Sequence, residues 1–221
     1  MVAPMGLRER KKQRTRETIS DAAIALFIEH GFDGVSVVDV AAVAEVSKPT
    51  LFKYFPTKED LVVHRFADHQ TVSSTVVAQR PPGMSAIDAL HQHFLDGLAD
   101  RDPITGLNDD ADVLAFHALV YSTPSLVARV SQYLAQAEEE LAKSLVDAID
   151  PECREITAAL LAGQVIATQR ILASVNWRRI VGGRSADMVH PEAVADADHA
   201  FALLRRGLAE AGEQREDRTG V

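Results

Sequence analysis

Among side chains able to do chemistry, the eight histidines come first, and their spacing argues against most of what histidines do. His91 and His93 stand two apart and point to different faces of a helix; His64 and His69, five apart, are as poorly set for joint metal ligation. Cys153 is the only cysteine, which excludes an intramolecular disulfide and any multi-cysteine metal site and fits a reducing compartment. No Ser/His/Asp arrangement, glycine-rich phosphate loop or paired-carboxylate signature occurs, and Glu138, Glu139 and Glu140 read as a solvated helix face. The sequence therefore predicts no catalytic residue, no metal, no cofactor and no enzyme activity. What remains is basic and aromatic chemistry in SKPTLFKYFPTKEDL, residues 47–61. Leu51 and Phe55, four apart, suit the buried side of a short helix, which turns Phe52, Lys53 and Tyr54 outward. A lysine between two aromatics on the outside of such a helix suits phosphates and base edges.

The charge distribution agrees with a nucleic-acid surface. The 221-residue chain carries a net charge of −9, yet residues 1–58 hold nine Lys/Arg against seven Asp/Glu while the remainder holds fourteen against twenty-five. Six of the nine cations (Arg8, Arg10, Lys11, Lys12, Arg14, Arg16) form one amino-terminal arm; Lys48, Lys53 and Lys58 lie in the stretch above. No apolar run approaches the roughly 20 residues needed to span a bilayer, and no apolar signal core follows the amino-terminal charges, so the expected location is the cytoplasm.

These residues need elements to position them, and the patterning is helical throughout. Ile19, Ala22, Ala23, Leu26 and Phe27 recur at i, i+3, i+4, i+7, i+8 within a helix over 15–30, with Gly31 placed for its carboxy-terminal cap. Ser36 with Asp39 three residues on forms an approximate capping box for a short second helix bearing Val37, Val40, Ala41 and Ala44. Ser47 opens a third, with Pro49 in its first turn, and Pro56 ends it. Thr57 and Asp60 start a fourth, predicted to run from Lys58 to about Arg80. Two short helices joined by three or four residues, with small Ala41 and apolar Val46 at their crossing, have the spacing of a helix-turn-helix.

The run GFDGVSVVDVAAVAEVSKPTLFKYFPTKEDL, Gly31 to Leu61, preceded by AAIALF and followed by a long helical remainder, resembles the amino-terminal domain of the tetracycline-repressor (TetR) family over about 50 residues. The resemblance implies an all-α protein: a three-helix helix-turn-helix DNA-binding domain with a basic arm, residues 1–58, then a larger helical ligand-binding and dimerisation domain, 59–221. It implies a cytoplasmic homodimer that represses transcription from a pseudo-palindromic operator and lets go when a small hydrophobic effector enters the second domain. The alternative is a DNA-binding protein without such an effector, architectural or controlled by a protein partner. Carried over by position, Lys48, Pro49, Thr50 and Lys53 contact base edges or the groove, and Phe52 and Tyr54 brace against the sugar-phosphate backbone. Ser36 and Ser47 donate to phosphates or act only as caps; Lys58 neutralises a phosphate or is solvated.

Two positions depart from the family pattern. Glu45 replaces the common turn glycine, so it either accepts a left-handed backbone at about 1 kcal/mol or the turn differs. Val38 stands where many members have a base-reaching arginine. Further helices are predicted over 85–100, 109–122, 125–149, 152–181 and 191–211. The penultimate helix carries small residues, Ala158, Ala159, Ala162, Gly163 and Ala167, and the last an apolar stripe, Val194, Ala197, Phe201, Leu204 and Leu208; the resemblance implies a homodimer through these last two helices, unless the stripe packs within one subunit. Candidate effector contacts are Phe94, Phe116, Tyr121, Tyr133, Asn176 and Trp177, each equally able to be plain core.

Overall fold

A computed structural model describes residues 6–67, 69–149 and 155–219. The chain is all-α: α1 Leu7–His30, α2 Val37–Val43, α3 Lys48–Tyr54, α4 Asp60–Ala67, α5 Val72–Gln79, α6 Ala86–Ala99, a 3-10 turn Pro103–Thr105, α7 Ala111–Ser122, α8 Pro124–Ile149, α9 Glu155–Val181 and α10 Ala186–Thr219. No strand occurs among the described residues.

Two compact units form. The first takes in α1–α4 and residues 115–132, from α7 and the start of α8; the second takes in residues 69–114 and those from 133 on. In the first, α1 packs on α2 and α4. Its core is made by Ile19, Ala23 and Phe27 of α1, Val40 of α2, Leu51 and Phe55 at the two ends of α3's inner face, and Leu61, Val62 and Val63 of α4. Two polar groups join that core: the Ser20 hydroxyl donates to the Leu61 carbonyl, 2.8 Å, and lies 3.1 Å from His64 Nδ1.

In the second unit α10 packs along α6 and α9 around Leu90, Phe94, Leu98, Leu161, Val165, Leu172 and Phe201. The 3-10 turn seats tightly on α9. Gly106 follows it at φ +70°, where a Cβ would meet the Ala173 carbonyl oxygen at 2.0 Å, so only glycine fits. Asn176, itself buried, donates to the Thr105 carbonyl at 3.0 Å and fixes the same contact.

The structure corrects several expectations. The basic arm is helical from Leu7, because nothing in LRERKKQRTR interrupts a run of good helix formers. The expected 58–80 helix is two helices: a turn at His69–Gln70 separates them, and α5 restarts at Val72 after Thr71, a β-branched residue whose backbone is not helical. The last helix starts at Ala186 and carries Pro191 inside it. Its stripe belongs to the core of its own unit: Ala197 and Phe201 are fully buried and Leu204 nearly so, against α6 and α9. Leu208's side chain lies outside the described residues. Finally, α9 is long and apolar enough to pass for a membrane span, its most apolar 18 residues having a mean hydropathy of 1.4, where no such stretch was expected; its inner face packs within the second unit.

Candidate nucleic-acid interface

The helix-turn-helix is built from α2, α3 and the turn between them. Ser36 caps α2 with a full capping box: Asp39 N–H donates to its hydroxyl at 3.2 Å and Ser36 N–H donates to the Asp39 carboxylate at 2.8 Å. Hydrogen bonds from Ser36 hold the exposed Asp39 carboxyl below the usual carboxylate range. At the far end the Val46 N–H donates to the Ala41 carbonyl and the Glu45 N–H to that of Ala42, a Schellman closure that requires a left-handed residue between cap and exit. Glu45 supplies it at φ +54°. The turn thus keeps its geometry with the strained residue in place.

Ser47 then caps α3, accepting from Thr50 N–H at 3.2 Å, and its hydroxyl pairs with the Thr50 hydroxyl at 2.7 Å. Leu51 and Phe55 have no exposed surface, which fixes how α3 rolls. Lys48, Pro49, Phe52 and Lys53 face outward, Thr50 and Tyr54 are half-buried, and Lys48 Nζ lies 5.9 Å from the centroid of the Phe52 ring. The candidate residues of α3 are therefore one surface. Ser36 and Ser47 both spend their hydroxyls on caps, as accepting oxygens that can still donate a proton outward.

Lys58 is held more firmly than the sequence suggested. It is half-buried, its ammonium donates to the Phe32 carbonyl, and the same nitrogen lies 4.4 Å from the Phe32 ring centroid and 5.3 Å from that of Phe27. One of its three N–H donors is committed inside the protein. Two residues on, Asp60 is buried and does double duty: its carboxylate accepts from Thr57 N–H at 3.1 Å, as an amino-terminal cap of α4, and from Arg129 of α8 at 2.9 Å (Nε) and 2.8 Å (Nη2). The start of α4, directly after the α3 exit, is thus tied to the α1–α2 loop by Lys58 and to α8 by Asp60. The Thr57–Asp60 box was legible in the sequence; Arg129, 69 residues away, was not.

The six candidate effector contacts divide between the units. Phe116, stacked on Phe66 at 6.0 Å, and Tyr121, half-exposed and stacked on His117 at 4.1 Å, belong to the first. Phe94, Tyr133, Asn176 and Trp177 belong to the second, where Phe94 is core beside Phe201 and Asn176 secures the 3-10 turn. The first unit also carries an open groove of about 380 Å³ bordered by Phe27, Phe32, Ala118 and Leu119. Burial pushes the His117 imidazole down to about 4. No group of three or more His, Cys, Asp or Glu gathers as a metal site among the described residues.

Residues 19–64, the span just described, match the family model for bacterial regulatory proteins of the tetR family. Residues 19–64 of this chain are thus a tetR-family domain. It is similar to the transcriptional regulator TcmR of Streptomyces glaucescens, 31% identical over 135 residues that make up 61% of this chain and 58% of TcmR. It is also similar to the transcriptional repressor KstR of Rhodococcus jostii, 29% identical over 141 residues, 62% of each chain. The chain thus spans about three-fifths of the length of these two relatives. The fold matches that of GusR from Salmonella enterica, with a TM-score of 0.55 at 18% identity over 86% of this chain and 93% of that one.

Proposed function

We infer that this protein is a tetR-family member throughout and a sequence-specific DNA-binding transcriptional regulator, acting as a homodimeric repressor of a pseudo-palindromic operator. The observation that carries the reading is the division of α3: Leu51 and Phe55 fully inward, Lys48, Phe52 and Lys53 outward on a capped, two-turn helix. A helix rolled in this way can lay its outer face in a major groove. Lys48, Pro49, Thr50 and Lys53 meet base edges or the groove wall; Phe52 and Tyr54 brace on sugar and phosphate; Ser36 and Ser47 donate to phosphates from helix starts. Lys58 offers a phosphate the donors that Phe32 leaves free. Functionally, residues 1–58 read DNA and 59–221 dimerise and take the effector.

Dimerisation is supported by apolar surface on the last two helices. Ile156, Leu160 and Ile171 repeat at four- and eleven-residue steps along one side of α9, each more than half exposed, as is Leu203 on α10. A two-fold pairing of these helices buries that stripe. Release by a small hydrophobic effector is the further part of the reading, with Phe116, Tyr121, Tyr133 and Trp177 as partly buried candidates. Control without a small molecule is the second reading, favoured by the structural employment of Phe94 and Asn176. The test is selection from a random duplex library followed by a small-molecule screen on the selected duplex. Enrichment of a palindrome and loss of its binding to a compound support the repressor; no enrichment at any salt concentration overturns it.

A further inference from the structure

Arg16 is a cation of α1 that the reading of α3 leaves out. Its guanidinium carbon lies 5.4 Å from the centroid of the Phe55 ring, and Phe55 is the fully buried residue that closes α3. Its Nε is buried and has no hydrogen-bond partner, and no carboxylate pairs with the guanidinium among the described residues; Asp21, one turn and a residue further along α1, pairs with Arg65 instead. The ring face stabilises the cation only in part, because a half-buried guanidinium without a counter-charge still bears a desolvation penalty. That state is unfavourable in the protein alone and becomes favourable against a polyanion. The contact also decides where the polyanion must lie, since Phe55 keeps Arg16 at the carboxy-terminal end of α3.

We propose that Arg16 is a DNA-phosphate ligand: held over the Phe55 ring, it presents its outer nitrogens as a planar fork to one backbone phosphate beside the end of α3. An arginine suits this because the fork pairs two phosphate oxygens at once and the plane stacks on an aromatic, neither of which a lysine reproduces. The proposal rests on the DNA-binding reading and extends it to α1. It assigns Arg16 to affinity and register, not to base choice.

The experiment compares the parent with Arg16→Gln and Arg16→Lys on two probes: the duplex the parent selects from a random library, and a random-sequence duplex of equal length. Arg16→Gln is expected to make the plot of log affinity against log salt shallower by about 0.9 on both probes, leaving the ratio between them unchanged. Between 0.05 and 0.2 M salt that is about a 3.5-fold smaller loss of affinity. Arg16→Lys keeps the charge and the slope. A folded Arg16→Gln with the parent's slope overturns the proposal. Should Arg16→Gln melt the domain, the Nε–H resonance of Arg16 in the parent decides: it shifts when the selected duplex is added, and an unmoved resonance overturns the proposal. A parent that holds neither probe instead overturns the DNA-binding reading beneath it.

Discussion

Two leucines on surfaces of opposite character, Leu160 of α9 and Leu204 of α10, make the dimer reading testable in depth. Leu160 of α9 is 59% exposed in the single chain, whereas Leu204 of α10 is 8% exposed and belongs to the core. Full burial of a leucine contributes about 1.5–3 kcal/mol, so covering the exposed part of Leu160 contributes about 1–2 kcal/mol, and two-fold symmetry doubles it to about 2–4 kcal/mol. Leu160→Asp removes that term and adds two carboxylates that lose water when the surfaces meet, at several kcal/mol more. The association constant should fall at least a hundredfold, since about 2.8 kcal/mol already gives that factor. Stability of the subunit itself should stay within about 0.5 kcal/mol, the usual range for a surface change. Leu204→Asp does the reverse: it buries an unpaired charge in the unit's own core, costs more than about 4 kcal/mol and unfolds it. Sedimentation velocity with thermal melts separates the two. A Leu160→Asp protein that stays dimeric at the parent's concentrations, or a Leu204→Asp protein that melts like the parent, refutes the assignment of faces.

Glu45→Gly should stabilise the protein by about 1 kcal/mol in chemical denaturation, because glycine meets φ +54° without the Cβ penalty; an unchanged midpoint means the turn relaxes around glutamate at no cost. Lys58→Gln should both lower stability, through the lost charge-assisted bond to Phe32, and make the salt plot shallower by about 0.9; destabilisation with an unaltered slope leaves its remaining donors in solvent. His117 gives a pH dependence whose sign follows from its depressed folded pKa. Between the ordinary value of 6.5 and about 4 the unfolded chain takes up a proton that the folded chain refuses, so stability falls as pH drops through that window. Melts of parent and His117→Phe from pH 7 to 4 should diverge with acidification, the variant losing less; parallel curves contradict it.

How much could be read from sequence differs by region for physical reasons. The amino-terminal helices announce themselves through local chemistry: Ser36 with Asp39, Ser47 as a cap, Pro49 in a first turn and the four-residue step from Leu51 to Phe55 all act within about one turn of chain. Glu45 was flagged by the turn it occupies, and the structure chooses the left-handed solution. Long-range pairings leave no such local trace. Nothing near Asp60 points to Arg129, and nothing near Arg16 points to the Phe55 ring above which it sits. The α10 stripe shows a different limit: periodicity identifies a buried face but not what buries it, and here α6 and α9 of the same unit do so, while Leu203, its neighbour in sequence, is the exposed one. Composition likewise misjudged α9, whose isoleucines, leucines, valines and alanines carry enough apolar weight over an 18-residue stretch to resemble a span, despite the glutamines and threonines among them.

The claim that α3 reads DNA is tested most directly by titrating the parent, Lys48→Ala and Tyr54→Ala against the selected duplex and a copy mutated in one half-site. Lys48 faces outward near the start of the helix, so losing a base-edge contact there should shrink the discrimination between the two duplexes by about 1–3 kcal/mol. Tyr54, half-buried at the other end, should when truncated weaken both duplexes alike and leave their ratio intact. The contradicting result is a folded Lys48→Ala protein that binds and discriminates as the parent does, which would move sequence reading off the outer face of α3.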